Sequence, residues 1–321
     1  MRIFLAPMDG LTDDIMRHLL TRVGGIDVCV TEFVRITNTL LPKKVFYRAS
    51  PELLNSGKTV SGVPVRLQLL GSDPVCLAEN AALAASLGAP AIDLNFGCPA
   101  KTVNRSNGGA VLLREPENLY KIVKSVKSAL NGSTPLTAKM RLGYDDKSLA
   151  LECASAIEDA GADELIIHAR TKTEGYRPPA YWDWIAKIRE VVSLPVVANG
   201  EIWSVQDYLR CKEQSACNDV MIGRGLISNP NLAKQCKLVS DGEPFNPIAW
   251  PDVVALLIEF FELTLAKMGE KHATGRIKQW LRYLSREFTE AEALFLTIRQ
   301  DKTPQLITDK LKVCQAKVLN A

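Results

Sequence analysis

The sequence predicts an α/β protein: a (β/α)8 TIM barrel followed by a small all-α helical bundle. Three observations predict it. Short apolar runs alternate with amphipathic stretches over about two thirds of the 321 residues. Eight such runs occur, which is the strand number of a closed parallel barrel. Beyond a Gly/Pro-rich stretch at Asp241–Pro251 the strand signal stops and only helical periodicity continues.

The predicted strands are Ile3–Pro7, Val28–Phe33, Val65–Leu70, Ala91–Phe96, Leu136–Leu142, Glu164–Arg170, Pro195–Gly200 and Asp219–Gly223. They are largely continuous apolar runs, as expected for parallel strands covered by helices on the outside. Helical amphipathicity marks Pro74–Leu87, Pro116–Leu130, Ser148–Ala160 and Trp182–Val192 between them. Ser72-Asp73-Pro74, Pro116 and Ser204 before Val205 are helix-start signals. An open doubly wound sheet is the rival arrangement. It is disfavoured because no G-x-G-x-x-G follows the first strand. After Gly242, Pro244, Pro247 and Pro251, helices are predicted over Asp252–Met268, Thr274–Phe288, Glu290–Arg299 and Thr303–Leu319. The expected division is residues 1–245 for the barrel and 246–321 for the helical domain.

Composition sets bounds. Apolar residues make up 47% and charged residues 23%, so a large core needs no disulfide or metal staple. Eight cysteines are scattered with no C-x-x-C pair and the three histidines lie far apart, so no metal site is expected. The apolar start Met1–Pro7 is too short for a signal peptide, and no run reaches the length of a membrane span. A reducing cytoplasm and a monomeric state are expected. The net charge of +3 does not by itself imply nucleic acid.

Residues Asp93 to Lys101, D-L-N-F-G-C-P-A-K, are the most informative stretch. Gly97 breaks the strand and Pro99 prevents an immediate helix, so Cys98 is presented just past a strand's carboxyl end, where barrel chemistry collects. A lone cysteine is usually structural and buried. The Gly-Cys-Pro setting and the polar Lys101, Thr102 and Asn104 weigh against that here. Asn107-Gly108-Gly109-Ala110 reads as a flexible stretch behind it.

Polar groups recur at the same end of the other strands: Pro7-Met8-Asp9-Gly10, Gln68, Asn95, Lys139 with Arg141, His168 with Arg170, Asn199-Gly200-Glu201, and Gly223-Arg224-Gly225. Each alone is more often a satisfied core group. Recurrence on seven of eight strands is hard to attribute to packing. Gly200 and Gly223 let backbone N–H groups approach an anion, and Arg224 adds a charge-assisted fork. Lys139 can stabilise negative charge on a ring. A phosphate-bearing flavin satisfies both requirements.

A second signal lies in the tail. From Lys271 to Arg286 there are five basic residues, Lys271, Arg276, Lys278, Arg282 and Arg286, and no acidic one. Ile277, Trp280, Leu281, Leu284 and Phe288 share one helical face, with the basic residues and Tyr283 on the remainder. An acid-free basic face suits RNA phosphates. Arg35, Lys43, Lys44 and Arg48 form another basic run in a long βα loop.

Taken in order, A-P-M-D-G-L-T-D, T-E-F-V-R, D-L-N-F-G-C-P-A-K, K-M-R-L-G, H-A-R-T, N-G-E-I and M-I-G-R-G resemble the tRNA-dihydrouridine synthases over nearly the whole chain. Phe33-Val34-Arg35 and Arg276–Leu281 resemble the C-type members, which act on uridine 16 of the tRNA D-loop. The resemblance implies that NADPH (or NADH) reduces FMN, that the flavin passes hydride to C6 of a flipped-out uracil, and that Cys98 donates the proton to C5. It further implies that Pro7, Met8, Asp9, Gln68, Lys139, His168, Asn199, Gly200, Glu201, Gly223 and Arg224 contact the flavin. Asn95 and Tyr176 would meet the uracil and its nucleotide. Arg35, Lys101, Arg276, Lys278, Tyr283 and Arg299 would meet the tRNA. Three other readings are weighed: a flavoenzyme acting on a free pyrimidine, a barrel lyase with Lys139 as a Schiff base, and a non-catalytic RNA-binding protein. The first two leave the basic tail without a role, and the third leaves the strand-end set without one.

Overall fold

The structure is a computed structural model and describes residues 1–319. Among these it contains nine strands: β1 (Ile3–Leu5), β2 (Val28–Val30), β3 (Val34–Arg35), β4 (Val65–Leu70), β5 (Ile92–Phe96), β6 (Leu136–Arg141), β7 (Glu164–His168), β8 (Val196–Asn199) and β9 (Asp219–Ile222). All strand pairings are parallel. β1 pairs with β2 and β9, β2 with β4, and β4 to β9 pair in succession, so eight strands close into the predicted barrel. Helices Pro74–Ser86, Pro116–Ala129, Ala150–Asp159, Trp182–Val191 and Val205–Ser215 follow β4, β5, β6, β7 and β8 in turn. The interior is filled from the apolar runs: Phe4, Ala6, Val28, Val30, Ile166, Val197 and Met221 form one buried cluster.

The ninth strand comes from a break in the predicted second one. Val30 stands opposite Arg66 and Val34 opposite Leu69, four steps on one side against three on the other. The extra residue is a bulge. Its local cause is Thr31, whose hydroxyl accepts the backbone N–H of Gln68 (3.0 Å) in place of a ladder carbonyl. The long loop expected after this strand is also corrected. It contains a helix, Lys43–Ala49, and a 3-10 turn, Pro51–Asn55. The predicted strand Val65–Leu70 matches β4 to the residue, and the six others run a residue or two too far. Pro7, Arg170, Gly200 and Gly223 lie just past the ladders, in the turns.

The amino end of the barrel is sealed by charge. Buried Glu164 accepts from Arg2 (2.6 Å) and from Arg66, and Arg2 also reaches Asp219 (2.6 Å). Both guanidinium groups lie over the Phe4 ring, at 5.1 and 5.0 Å. The charges at that end are paired with one another, and the carboxyl end is left for chemistry.

The chain divides into two compact units. The first comprises Met1–Asp14, Ile26–Ile202 and Gln206–Gly223, and holds the barrel. The second comprises Ile15–Gly25, Trp203–Val205 and the chain from Arg224 onward. In the second, helices Trp250–Met268, Glu270–Leu284, Thr289–Ile298 and Pro304–Leu319 supply the predicted helical tail. Trp280 anchors it: its indole N–H donates to Ile227 O (3.0 Å) and its ring meets Phe260 edge-on at 4.8 Å. Of the predicted face, Ile277, Leu281 and Leu284 are buried beside it; the helix ends at Leu284, so Phe288 lies beyond it, half-buried with its ring 5.7 Å from that of Trp250. No helix among the described residues is long and apolar enough to cross a membrane.

Candidate active site

The site is built from the carboxyl ends of β4 to β8. Asp93 on β5 is fully buried and accepts the Thr137 hydroxyl at Oδ1 (2.6 Å) and the Gln68 Nε2 amide at Oδ2 (2.7 Å). Gln68 Oε1 in turn accepts from Asn95 Nδ2 (2.7 Å). Asn95 Oδ1 receives the backbone N–H groups of Gly97 and Cys98, both at 2.9 Å. Burial pushes the Asp93 carboxyl up, against the Thr137 and Gln68 hydrogen bonds and the nearby charges of Arg66 and Lys139.

Cys98 is half-buried on this loop, whereas Cys29, Cys153, Cys211, Cys217 and Cys236 are buried. Burial pushes its thiol up, with a smaller push from the Asp9 carboxylate. A hydrogen bond with the Ala100 backbone and the charges of Arg141 and Lys139 oppose that. Cys98 is therefore a thiol at neutral pH, able to give a proton. The stretch Asn107–Ala110 behind it, read from the sequence as flexible, is tied back to this loop. Cys98 O accepts from Ala110 N (3.1 Å) and Asn104 Nδ2 (3.0 Å), and Asn104 Nδ2 also reaches Ala100 O (2.7 Å). Helix Lys101–Asn104 and the 3-10 turn Gly109–Arg114 absorb the rest.

Lys139 on β6 is half-buried and donates to Asn199 Oδ1 (3.0 Å), and Asn199 Nδ2 donates to Met221 O (2.8 Å). Desolvation, helped by the charge of Arg141, lowers the Lys139 ammonium to about 8. Past Asn199 the chain turns sharply: Gly200 has φ +122° and Glu201 φ +57°. Two groups fix this turn. Trp182 Nε1 donates to Gly200 O (2.9 Å), and the fully buried Arg170 guanidinium pairs with Glu201 while its Nε donates to Pro179 O (3.0 Å).

Arg141 joins the Cys98 loop to the loop that carries Tyr176. Its Nε donates to Gly97 O (2.8 Å), and its Nη1 to Thr171 O (3.0 Å) and Gly175 O (2.9 Å). The Tyr176 ring lies under this guanidinium at 5.2 Å and meets the His168 ring edge-on at 5.9 Å. Tyr176 is 52% exposed, an aromatic face open to solvent. At the first strand, Met8 N–H donates to Thr12 Oγ1 (2.7 Å), and a Cβ at Gly223 would lie 3.1 Å from Met8 Sδ. Asp9 is exposed in the turn that follows. Arg35, exposed on β3, donates to Ser106 Oγ (2.7 Å) beyond helix Lys101–Asn104, whose first residue Lys101 is also exposed.

The remaining candidates lie in the second unit. Arg224 and Arg286 both stack on Trp203, with guanidinium carbons 4.7 and 3.9 Å from its ring centre. Arg276 donates to Gln279 (2.6 Å) and lies over Phe260. Lys278 is less available than its helical position suggests, because its ammonium donates to Asp301 O (2.5 Å). Tyr283 is half-buried and Arg299 is exposed.

Residues 4–319 match the family model described as dihydrouridine synthase. The chain belongs to the dihydrouridine synthase family. It is 54% identical over its whole length to the tRNA-dihydrouridine(16) synthase of Pseudomonas putida, covering 99% of that protein. It is 49% identical to that of Shewanella oneidensis, covering 98% of each chain, and 52% identical to that of Neisseria meningitidis serogroup B, over 94% of this chain and 91% of the relative. Among solved structures it resembles an old yellow enzyme homologue from Zymomonas mobilis (TM-score 0.51, 13% identity, 77% of this chain and 90% of that one). It also resembles histamine dehydrogenase from Rhizobium sp. 4-9 (TM-score 0.54, 17% identity, 82% and 49%). At such identities these two show the barrel fold alone.

Four residues that organise the site in this dihydrouridine synthase were not singled out as site residues from sequence: Asp93, Arg141, Arg170 and Gly109. Arg141 and Arg170 were visible as strand-end cations, but their acceptors are backbone carbonyls and a distant carboxylate. Gly109 has φ +67°, and a Cβ there would meet Cys98 O at 2.9 Å and Cys98 Cβ at 3.1 Å. Gly109→Ala is therefore expected to push the Cys98 loop out of place and to cost about 1–3 kcal/mol of stability. Thermal melts and labelling of Cys98 with iodoacetamide check this. Unchanged melting and an unchanged labelling rate would show that the loop yields easily.

Proposed function

We propose that this dihydrouridine synthase reduces uridine 16 in the tRNA D-loop to 5,6-dihydrouridine, with FMN as its flavin and NADPH as reductant. The observation that carries the reading is the Cys98 thiol. It is protonated, on a loop held by Asn95, Asn104 and Ala110 at the barrel's carboxyl end, and close enough to Lys139 for each to shift the other's titration.

The donor set suits FMN. Lys139 commits one hydrogen bond, to Asn199, leaving ammonium protons for an electron-rich ring. Arg170 Nη1 is buried without a partner among the described residues. Gly200 and Gly223 present backbone with no side chain in the way, and Arg224, next in the chain after Gly223, carries the charge for a phosphate. Pro7, Met8, Asp9, Gln68, His168, Asn199 and Glu201 complete the proposed set. Bound FMN would supply the hydride that adds to C6 of the uracil. Cys98 supplies the proton: its S–H bond breaks as the C5–H bond forms, and the thiolate left behind is offset by Arg141 and Lys139 until solvent reprotonates it. Asn95 and Tyr176 orient the base and its nucleotide.

The proposal places the chemistry in residues 1–245 and most tRNA contacts in 246–321, in a monomer acting in the cytoplasm. Mapping dihydrouridine by mass spectrometry in tRNA from a strain lacking the gene tests it. Loss confined to position 16, restored by a plasmid copy, is expected. Loss at another position overturns the assignment of site, and no loss overturns the reading.

The RNA contacts make a graded prediction. Arg299→Ala and Arg276→Ala should raise the apparent KM for tRNA and flatten the salt dependence of binding by about 0.7 in log–log slope per lost phosphate contact. Lys278→Ala should do so less and should lower the melting temperature, because its ammonium already holds Asp301 O. Binding curves at several salt concentrations check the order. Slopes unchanged from the parent in all three variants would mean the face is merely solvated.

A further inference from the structure

We propose that Asp93 is a positioning residue whose carboxylate sets the orientation of the Gln68 and Asn95 amides and thereby holds the Cys98 loop. Its effect on catalysis rests on the reading of Cys98 as proton donor, but the relay itself does not.

Polarity fixes which way each amide faces. A carboxylate offers only acceptors, whereas a primary amide has a donor end and an acceptor end that can be exchanged by a half-turn. Asp93 can face Gln68 only through Nε2, and the bond is 2.7 Å. That choice turns Gln68 Oε1 toward Asn95, which must answer with Nδ2 (2.7 Å). Asn95 Oδ1 is then left facing the loop, where it accepts two backbone N–H groups, from Gly97 and Cys98. Reversing either amide would set donor against donor at the loop, or acceptor against carboxylate at the root. The network is rigid at its origin because Asp93 and Gln68 are fully buried and Thr137 occupies the second carboxylate oxygen (2.6 Å). Water cannot substitute for a lost partner there, so a wrong orientation keeps its full cost. Burial pushes the Asp93 carboxyl up, and the hydrogen bonds from Thr137 and Gln68, with the positive groups of Arg66 and Lys139, act the other way.

The test is a charge-conserving exchange. Asn95→Asp places a second carboxylate on the far side of Gln68, whose single amide cannot donate to one and avoid presenting oxygen to the other. Backbone N–H exchange at Gly97 and Cys98 should then quicken by about tenfold or more. Adding Asp93→Asn should reverse this: Gln68 turns over, donates to the carboxylate now at position 95 and accepts from the amide now at position 93, while the loop N–H groups keep a carboxylate acceptor. Both substitutions are isosteric, so a packing role would show no such rescue. Hydrogen exchange is measured on the flavin-loaded protein without tRNA, which separates failure of the relay from failure of the proposed reaction. Recovery of protection in the double variant to within about threefold of the parent supports the proposal. A double variant as unprotected as Asn95→Asp overturns it. If Asn95→Asp does not fold, the double variant is compared with the parent directly: a protected loop supports the relay and an unprotected one overturns it.

Discussion

Cys98→Ala is expected to make dihydrouridine at least about a hundredfold more slowly while still binding FMN and accepting hydride from NADPH, since a positioned general acid contributes about 10²–10⁴ in rate. The thiol is half-buried, raised above the ordinary cysteine range by desolvation, and so carries its proton at neutral pH. Hydride addition without a proton donor leaves a carbanion at C5 that returns its hydride. Cys98→Ser keeps the size of the side chain but is a far weaker acid, so it should stay near the alanine level rather than the parent. Single-turnover mixing of reduced enzyme with tRNA, followed by flavin absorbance, measures the step directly. A rate for Cys98→Ala within a few-fold of the parent would mean another group or water delivers the proton.

Lys139→Met is expected to lose flavin affinity by about 10–100-fold, the value of one charged hydrogen bond in a buried site. The same substitution should alter stability in the opposite sense. Folding holds the ammonium at about 8 against an ordinary 10.5, with desolvation the largest cause. Between those values the unfolded chain holds more protons than the native one. Stability of the flavin-free parent therefore rises with pH across that window, and the full cost of the buried charge, up to about 3 kcal/mol, is present below pH 8. Lys139→Met removes the charge and the slope with it. Asn199 Oδ1 loses its donor in the variant, which takes back about 1–3 kcal/mol, so the slope is a cleaner readout than the net difference. Urea melts on flavin-free protein, at pH values spaced across that window, would show a shallower rise for the variant. Parallel pH profiles, or a variant that purifies with full flavin, would place Lys139 outside the proposed cofactor site.

What the sequence determined by itself is what depends on neighbours along the chain. Hydrophobic runs of strand length marked all eight barrel strands, and Pro74, Pro116 and Trp182 marked helix starts that the structure keeps to the residue. Strand ends followed from the same runs. That is why Gln68, Asn95, Cys98, Lys139, His168 and Asn199 could be assigned to one end of the barrel before any contact was known. The buried face Ile277, Trp280, Leu281 and Leu284 followed from the 3.6-residue period in the same way. Only the tertiary structure decided which of these groups hold one another, because the partners lie far apart in sequence. Asp93 meets Thr137 across 44 residues and Gln68 across 25, Arg141 meets Gly97 across 44, and Lys278 meets Asp301 across 23. The bulge at Thr31 has the same origin, since its cause is an N–H donated by Gln68, 37 residues on. Glycines near Cys98 suggested mobility because glycine lowers the local cost of every conformation. In the structure the Cys98 loop is held by Asn95, Asn104 and Ala110, and a side chain at Gly109 would collide with Cys98. Local propensity limits where a thiol can stand. Hydrogen bonds closed across the barrel decide whether it stands still enough to deliver a proton.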